Sequence, residues 1–331
     1  MKRCVVVALK EHQSMADRIS ELPDTVLCHI LSYLPTTDAI ATSVLSKSWK
    51  IVWRSCPSLR FDDFRYVYPH SRPYSPFIQS IHMALLLRDC HQTIQSFSLT
   101  CRFYHCDSTN VSIWIQSAVY RGVQNLDLCV INLFKLPTLV FTCKTLVVLK
   151  LNHFYIRDVT TVHLPQLKTM HLTNLTFSQH GHFAQLICAS PNLEELVAVN
   201  STFHSRADKG SFKNLPKLVR ATVAKKDVPL VVVSNVRYLH LDWVIISLSL
   251  VLFLTKTGFL KILLLKLFFI FYFFLQMDDE SVNIDPIREV NVFRNLIHLE
   301  CSYMHYIRDW GKVVKVLKLC PKLQVFLIDK V

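Results

Sequence analysis

Cysteine and histidine are the residues in this chain most able to do chemistry, and they crowd closest at Cys101, His105 and Cys106, with Cys90-His91 a short way upstream. A structural zinc site takes four such ligands, normally as two close pairs. The second pair is missing and no CxxC occurs, so structural thiols are expected here, with no metal and no cofactor. The 11 cysteines are odd in number and irregularly spaced, which fits a reducing cytoplasmic or nuclear setting better than a disulfide scaffold. Phosphate-cradling loops need clustered glycines so that the backbone can approach the anion. Only Gly122, Gly181, Gly210, Gly258 and Gly311 occur, no two closer than 29 positions. Neither a G-x-S-x-G elbow nor an H-E-x-x-H pair is present. Nothing in the residue pattern supports an enzyme.

The formal charge of +13 would steer acidic partners toward the surface. Yet lysine and arginine are scattered, and Lys225-Lys226 is too short for a nucleic-acid arm, so no nucleic acid is expected as a partner. The start, MKRCVVVALKEHQ, has six apolar residues before Lys10, short of a secretory core. Asn110, Asn174 and Asn200, each in an N-x-S/T triplet, are accordingly expected to stay unglycosylated.

Elements able to position a binding surface come in two kinds. Residues 17–62 read DRISELPDTVLCHILSYLPTTDAIATSVLSKSWKIVWRSCPSLRFD, in which Val26, Leu27, Ile30, Leu31 and Leu34 fall on one helical stripe. Pro23 and Asp24 suit the first turn and Pro35 stops the helix. Thr36, Thr37 and Asp38 offer N-cap oxygens to a second helix, whose apolar face is Ile40, Val44, Leu45, Trp49, Val52 and Trp53. Two helices this short cannot cover each other's stripes, so a neighbouring domain or a partner must cover the rest.

This stretch closely resembles the plant F-box motif along nearly its whole length. The resemblance implies docking onto the Skp-type adaptor of a cullin-based (SCF) ubiquitin ligase, and through it onto a cullin. The matching positions are Leu22, Pro23, Val26, Ile30, Leu31, Leu34, Val44, Leu45, Trp49 and Trp53, some of which must hold the module's own core. Met15 begins MADRISELPD, a form typical of where such proteins start, so residues 1–14 are expected to be an untranslated or dispensable leader, with residues 1–16 as a whole disordered.

Downstream, the pattern apolar-x-x-apolar-x-apolar recurs from Ile94, Val123, Leu146, Leu167, Leu193, Leu218, Val236, Leu296 and Leu323. Successive starts lie 18 to 29 residues apart, except for one interval of 60. Such lengths suit leucine-rich repeats, in which a short strand and a return leg stack into a curved solenoid. The expected fold is therefore α/β: an N-terminal helical F-box, then a curved leucine-rich-repeat solenoid with a parallel sheet on its concave face. On each strand two side chains point inward and one outward. The outward set is Ser98, Asp127, Lys150, His171, Val197, Thr222, His240 and Glu300. Among these Asp127, Lys150, His171, Thr222, His240 and Glu300 are the candidates for contacting a protein substrate. Return legs such as 136–151, 162–172, 186–196 and 316–326 are similar to those of plant F-box/LRR proteins of the FBD group, where a small FBD domain usually follows. Here Val331 comes straight after the last motif, so the FBD is expected to be missing or only begun.

The 60-residue interval holds VIISLSLVLFLTKTGFLKILLLKLFFIFYFFLQ, residues 244–276. Lys256, Lys261 and Lys266 leave charge-free runs of 12 and 10 residues, short of the roughly 20 that a membrane span requires. Removing these 33 residues shortens the interval to 27, equal to the next one. With no acidic residue and a composition dominated by leucine and phenylalanine, the segment reads as an in-frame, unspliced intron. The expected organisation is a leader (1–16), the F-box (17–62), a linker and first helical leg (63–93), repeats (94–243), the apolar insert (244–276) and final repeats (277–331). The favoured function is a non-catalytic substrate receptor of a ubiquitin ligase. A membrane-tethered or scaffolding repeat protein without a ligase role is the alternative.

Overall fold

The computed structural model describes residue 19 and residues 21–46, 49–64, 75–88, 92–102, 106–159, 161–205, 211–224, 227–242, 293–302, 314 and 317–329. The expected leader and the apolar insert lie outside the described residues, as do much of the linker and part of the final repeats.

Helices open the chain: α1 (Asp24–Leu31), α2 (Thr36–Ala41) and α3 (Trp49–Val52), with 3-10 turns at Thr42–Val44 and Trp53–Ser55. Pro23 and Pro35 are the N-caps of α1 and α2. An extended φ/ψ and no amide to satisfy suit proline to a position just outside a helix. The expectation that Thr36, Thr37 or Asp38 would cap α2 is corrected, since no side-chain cap bond forms there. Buried Thr36 instead accepts a 2.7 Å hydrogen bond at Oγ1 from the Arg60 amide. Its hydroxyl thereby ties the helical module to β1 (Ser58–Asp62).

From β1 onward the chain builds one sheet in which every pairing is parallel. The further strands are β2 (Ser96–Cys101), β3 (Asn125–Lys135), β4 (Val148–Ile156), β5 (Thr169–Thr173), β6 (Thr176–Gln179), β7 (Glu195–Val199), β8 (Thr202–Ser205), β9 (Arg220–Ala224), β10 (Tyr238–Asp242), β11 (His298–Ser302) and β12 (Val325–Asp329). The main path runs β1-β2-β3-β4-β5-β7-β9-β10-β11-β12, and β6 joins the end of β4 to β8. Alternation is clearest in β2, which reads intermediate-buried throughout with Phe97, Leu99 and Cys101 pointing inward. Behind the sheet lie α4 (Ser75–Leu86), α5 (Ser108–Tyr120) and α6 (His180–Cys188). The Asp107 carboxylate caps α5 by accepting from the Asn110 amide at 2.8 Å, and Val111, Trp114, Ile115 and Ala118 fill the layer beneath.

A recurring backbone device sets the register. Each strand of the main path after β1 is entered by two consecutive amides that donate to a single carbonyl of the preceding repeat: Gln124 and Asn125 to Gln95, Val147 and Val148 to Gln124, Lys168 and Thr169 to Val147. The same pair is made by Ile297 and His298 to Arg237, across the 60-residue interval. Accordingly β10 and β11 are direct neighbours, Tyr238 opposite His298, and the sheet passes this interval without a gap.

Among the described residues, three that are not glycine turn the chain with positive φ: His153 (64°), Asn174 (52°) and Asn200 (56°). Asn174 and Asn200 follow β5 and β7 and lead into β6 and β8. Asparagine tolerates this left-handed region better than most residues, whereas histidine there carries a cost of order 1 kcal/mol. Burial also holds the His153 imidazole below its ordinary pKa, so below about pH 6.5 the unfolded chain takes up a proton more readily than the folded one. Stability from this side chain is kept above that pH and lost below it. His153→Asn is expected to raise the free energy of unfolding by up to about 1 kcal/mol near pH 7.5, with a larger gain at pH 5.5. Urea denaturation at the two pH values checks both parts.

Candidate functional site

Two surfaces emerge, one on the helical module and one on the sheet. Residues at i and i+4 of α1 lie one above the other, so its apolar stripe is two residues wide and divides lengthwise. Leu27 and Leu31 point into the core, while Val26, Ile30 and Leu34 stay exposed. The continuous second helix expected over residues 40–53 is corrected. It is broken into α2, a 3-10 turn and α3, and the turn pushes Val44 and Leu45 into solvent at 85% and 65% exposure. Trp49, Val52 and Trp53 go the other way and are buried with Cys56 and Leu59.

Of the ten positions named as adaptor contacts, Pro23, Val26, Ile30, Leu34, Val44 and Leu45 are exposed and Leu22 is half-buried. Leu31, Trp49 and Trp53 are at most 5% exposed and belong to the module's own core. The sequence pattern missed Ile19, Tyr33 and Ile51, also exposed here. Their signal was available in part, since Tyr33 follows Val26 and Ile30 at the same helical spacing. An exposed apolar set this dense on a small module is the kind of patch that marks interaction sites.

On the sheet, the outward positions align into one row. Arg60, Ser98, Asp127, Lys150, His171, Val197, Thr222, His240, Glu300 and Leu327 are successive register partners across ten strands. Asp127, Lys150, His171, Thr222, His240 and Glu300 are thereby brought onto a single surface. The row below adds groups that the outward set omitted. Glu195 Oε1 lies 2.7 Å from His171 Nε2, and the Arg220 guanidinium stands over the Tyr238 ring at 5.6 Å. His240 Nδ1 and His298 Nε2 approach Glu300 Oε2 at 3.6 and 3.9 Å. The C-terminal half of this face is thus a half-buried mosaic of histidine, carboxylate and aromatic groups, suited to polar protein contacts.

Among the described residues no group of three His, Cys, Asp or Glu side chains could hold a metal ion. Cys101 and Cys106 do meet, with their sulfurs 2.7 Å apart in the core, whereas His105, Cys90 and His91 lie outside the described residues. Burial pushes the Cys56 thiol up to about 12 and the Cys320 thiol to about 11, which keeps both protonated and unreactive at neutral pH. No helix among the described residues is long and apolar enough to cross a membrane.

Comparison with known proteins finds matches to the helical module and to part of the repeats. The F-box domain family matches residues 19–61, and the family described as "FBD-associated F-box protein At5g56370, LRR repeats" matches residues 111–248. Similar proteins from Arabidopsis thaliana include the F-box/LRR-repeat protein At3g59200, 38% identical over 56% of this chain and 37% of its own length. The F-box/LRR-repeat protein At3g26922 is 35% identical over 60% of this chain and 63% of its own length. The F-box/FBD/LRR-repeat protein At1g51370 is 33% identical over 56% and 41% respectively. The chain thus spans less than two thirds of the length of these relatives. With an F-box match at residues 19–61 and a match to FBD-associated leucine-rich repeats at residues 111–248, this chain is similar to plant F-box/LRR-repeat proteins.

Proposed function

We propose that this chain is the substrate-recognition subunit of an SCF-type cullin-based ubiquitin ligase. Its F-box docks onto a Skp-type adaptor, and the outward row of the sheet holds a protein target. The observation that carries this reading is the uncovered apolar set Val26, Ile30, Leu34, Val44 and Leu45, which stands outside a module whose own core is already filled by Leu27, Leu31, Trp49, Val52 and Trp53. Association would bury that set as folding cannot.

In this role the chain performs no bond chemistry. It raises the effective concentration of target lysines near a ubiquitin-charged enzyme, and a rigid connection between the two surfaces keeps that concentration high. Such a connection exists in the Thr36 to Arg60 hydrogen bond and in the packing of Trp53 and Cys56 beside Leu59. On the sheet, Asp127, Lys150, His171, Thr222, His240 and Glu300 are the proposed substrate contacts.

The two halves of the apolar stripe separate cleanly by mutation. Val44→Asp with Leu45→Asp is expected to leave the unfolding free energy within roughly 0.5 kcal/mol per site, while weakening adaptor binding at least about 100-fold. Leu31→Ala is expected to cost about 2–5 kcal/mol of stability, losing adaptor only through unfolding. Calorimetric titration with purified adaptor and thermal melts of the same samples check both. Full adaptor affinity in the Val44/Leu45 double variant would remove the basis of the proposal.

A further inference from the structure

Where the F-box meets the first repeat, Arg54, Arg88 and Arg121 gather. A cavity of about 400 Å³ opens there, lined by Ile51, Arg54 and Ser55 on the F-box side and by Leu87, Arg88 and Gln92 on the repeat side. Arg88 is 4% exposed, and none of its three guanidinium nitrogens has a hydrogen-bond partner. Arg54 Nε and Gln92 Oε1 are buried and unpartnered as well. Gln92 Nε2 donates to Ser55 Oγ at 3.1 Å, which bridges the two walls. Close by, Arg121 uses Nη2 on the Leu85 carbonyl at 2.9 Å and leaves a buried Nη1 bare.

A guanidinium carries five donors, and burying it unpaired costs more than almost any other single arrangement in a fold. Among the described residues, the titratable groups that act on Arg88 are Cys56, Arg121 and Cys28, and none of them is a carboxylate. Burial accordingly drives its pKa down, although Arg remains cationic at any physiological pH. The cation needs a counter-charge that these groups do not supply. The cavity, which reaches from F-box to repeat, lies where that charge would sit, and its volume is in the range of small-molecule sites.

We propose that this junction binds a phosphate-type oxyanion. The oxygens take the free N–H groups of Arg88 and Arg54, with Ser55 and a flipped Gln92 amide as further donors. Planar arginine forks match tetrahedral oxyanions well, and because Arg54 and Arg88 come from different elements, the anion clamps the F-box onto the repeats. It acts as a structural ligand, separate from the adaptor and substrate surfaces.

Thermal melts of the full chain at constant ionic strength test this with two probes, inorganic phosphate and glycerol 2-phosphate, against chloride. At saturation one or both probes is expected to raise the melting temperature by about 5 °C, and the tighter of the two identifies free or esterified phosphate as the source. Arg88→Met, which keeps the packed stem and removes the charge, is expected to abolish the rise and to melt at or above the ligand-free wild type. Arg54→Gln, at the half-exposed rim, should raise the phosphate concentration at half-effect about tenfold or more. No rise with either probe in the wild type, or an equal rise in Arg88→Met and Arg54→Gln, would overturn the proposal.

Discussion

One carbonyl accepting two consecutive amides, repeated from strand to strand, is the constraint on which this molecule rests. Pro57 receives Gln95 and Ser96, Glu194 receives Val219 and Arg220, and Ile297 receives Gln324 and Val325 in the same way. Because side chains alternate with a period of two, a slip of one residue at any of these joints would send a core row to solvent and the outward row inward. Both rows are fixed together: Leu126, Leu149, Met170 and Leu196 stack inside, while Asp127, Lys150, His171 and Val197 line up outside. Whatever the outward row binds, it presents as a rigid surface.

The F-box is fastened to the first rung of this ladder. Thr36 gives its hydroxyl oxygen to the Arg60 amide, and Trp49, Val52, Trp53 and Cys56 continue the core that begins with Leu59 and Phe61. Those tryptophans are large apolar groups of the kind that anchor interfaces, yet here they are spent on joining the two parts of one chain. What remains for a partner is the opposite edge of the same helices. Division along one stripe leaves a small module with a filled core on one side and an exposed apolar edge on the other.

Much of this was legible in the sequence. The apolar-x-x-apolar-x-apolar spacing placed each outward residue on the register row where it lies, because burial on one face leaves strands little freedom. The strands β6 and β8 were not legible, being four residues each and set off by Asn174 and Asn200, whose left-handed backbone is a turn signal but not a strand signal. Doublets such as Val26-Leu27 and Ile30-Leu31 hid the split of the F-box stripe, since at i and i+1 two apolar faces merge into one. The role of Thr36 was hidden for a different reason: its partner Arg60 is 24 positions away, and local capping was the nearer explanation. Arg88 gave no signal either, because its isolation depends on what the fold brings around it. The interval between Tyr238 and His298 was anomalous only against the repeat, and the strands that flank it are nonetheless neighbours in the sheet.

Hydrogen exchange of the full chain with and without a Skp-type adaptor tests the central claim most directly. The account predicts new protection confined to α1 and the Thr36–Leu45 stretch, with the amides of β3, β4, β5 and β7 unchanged. Protection absent from the helices, or appearing on the outward row of the sheet instead, would contradict it.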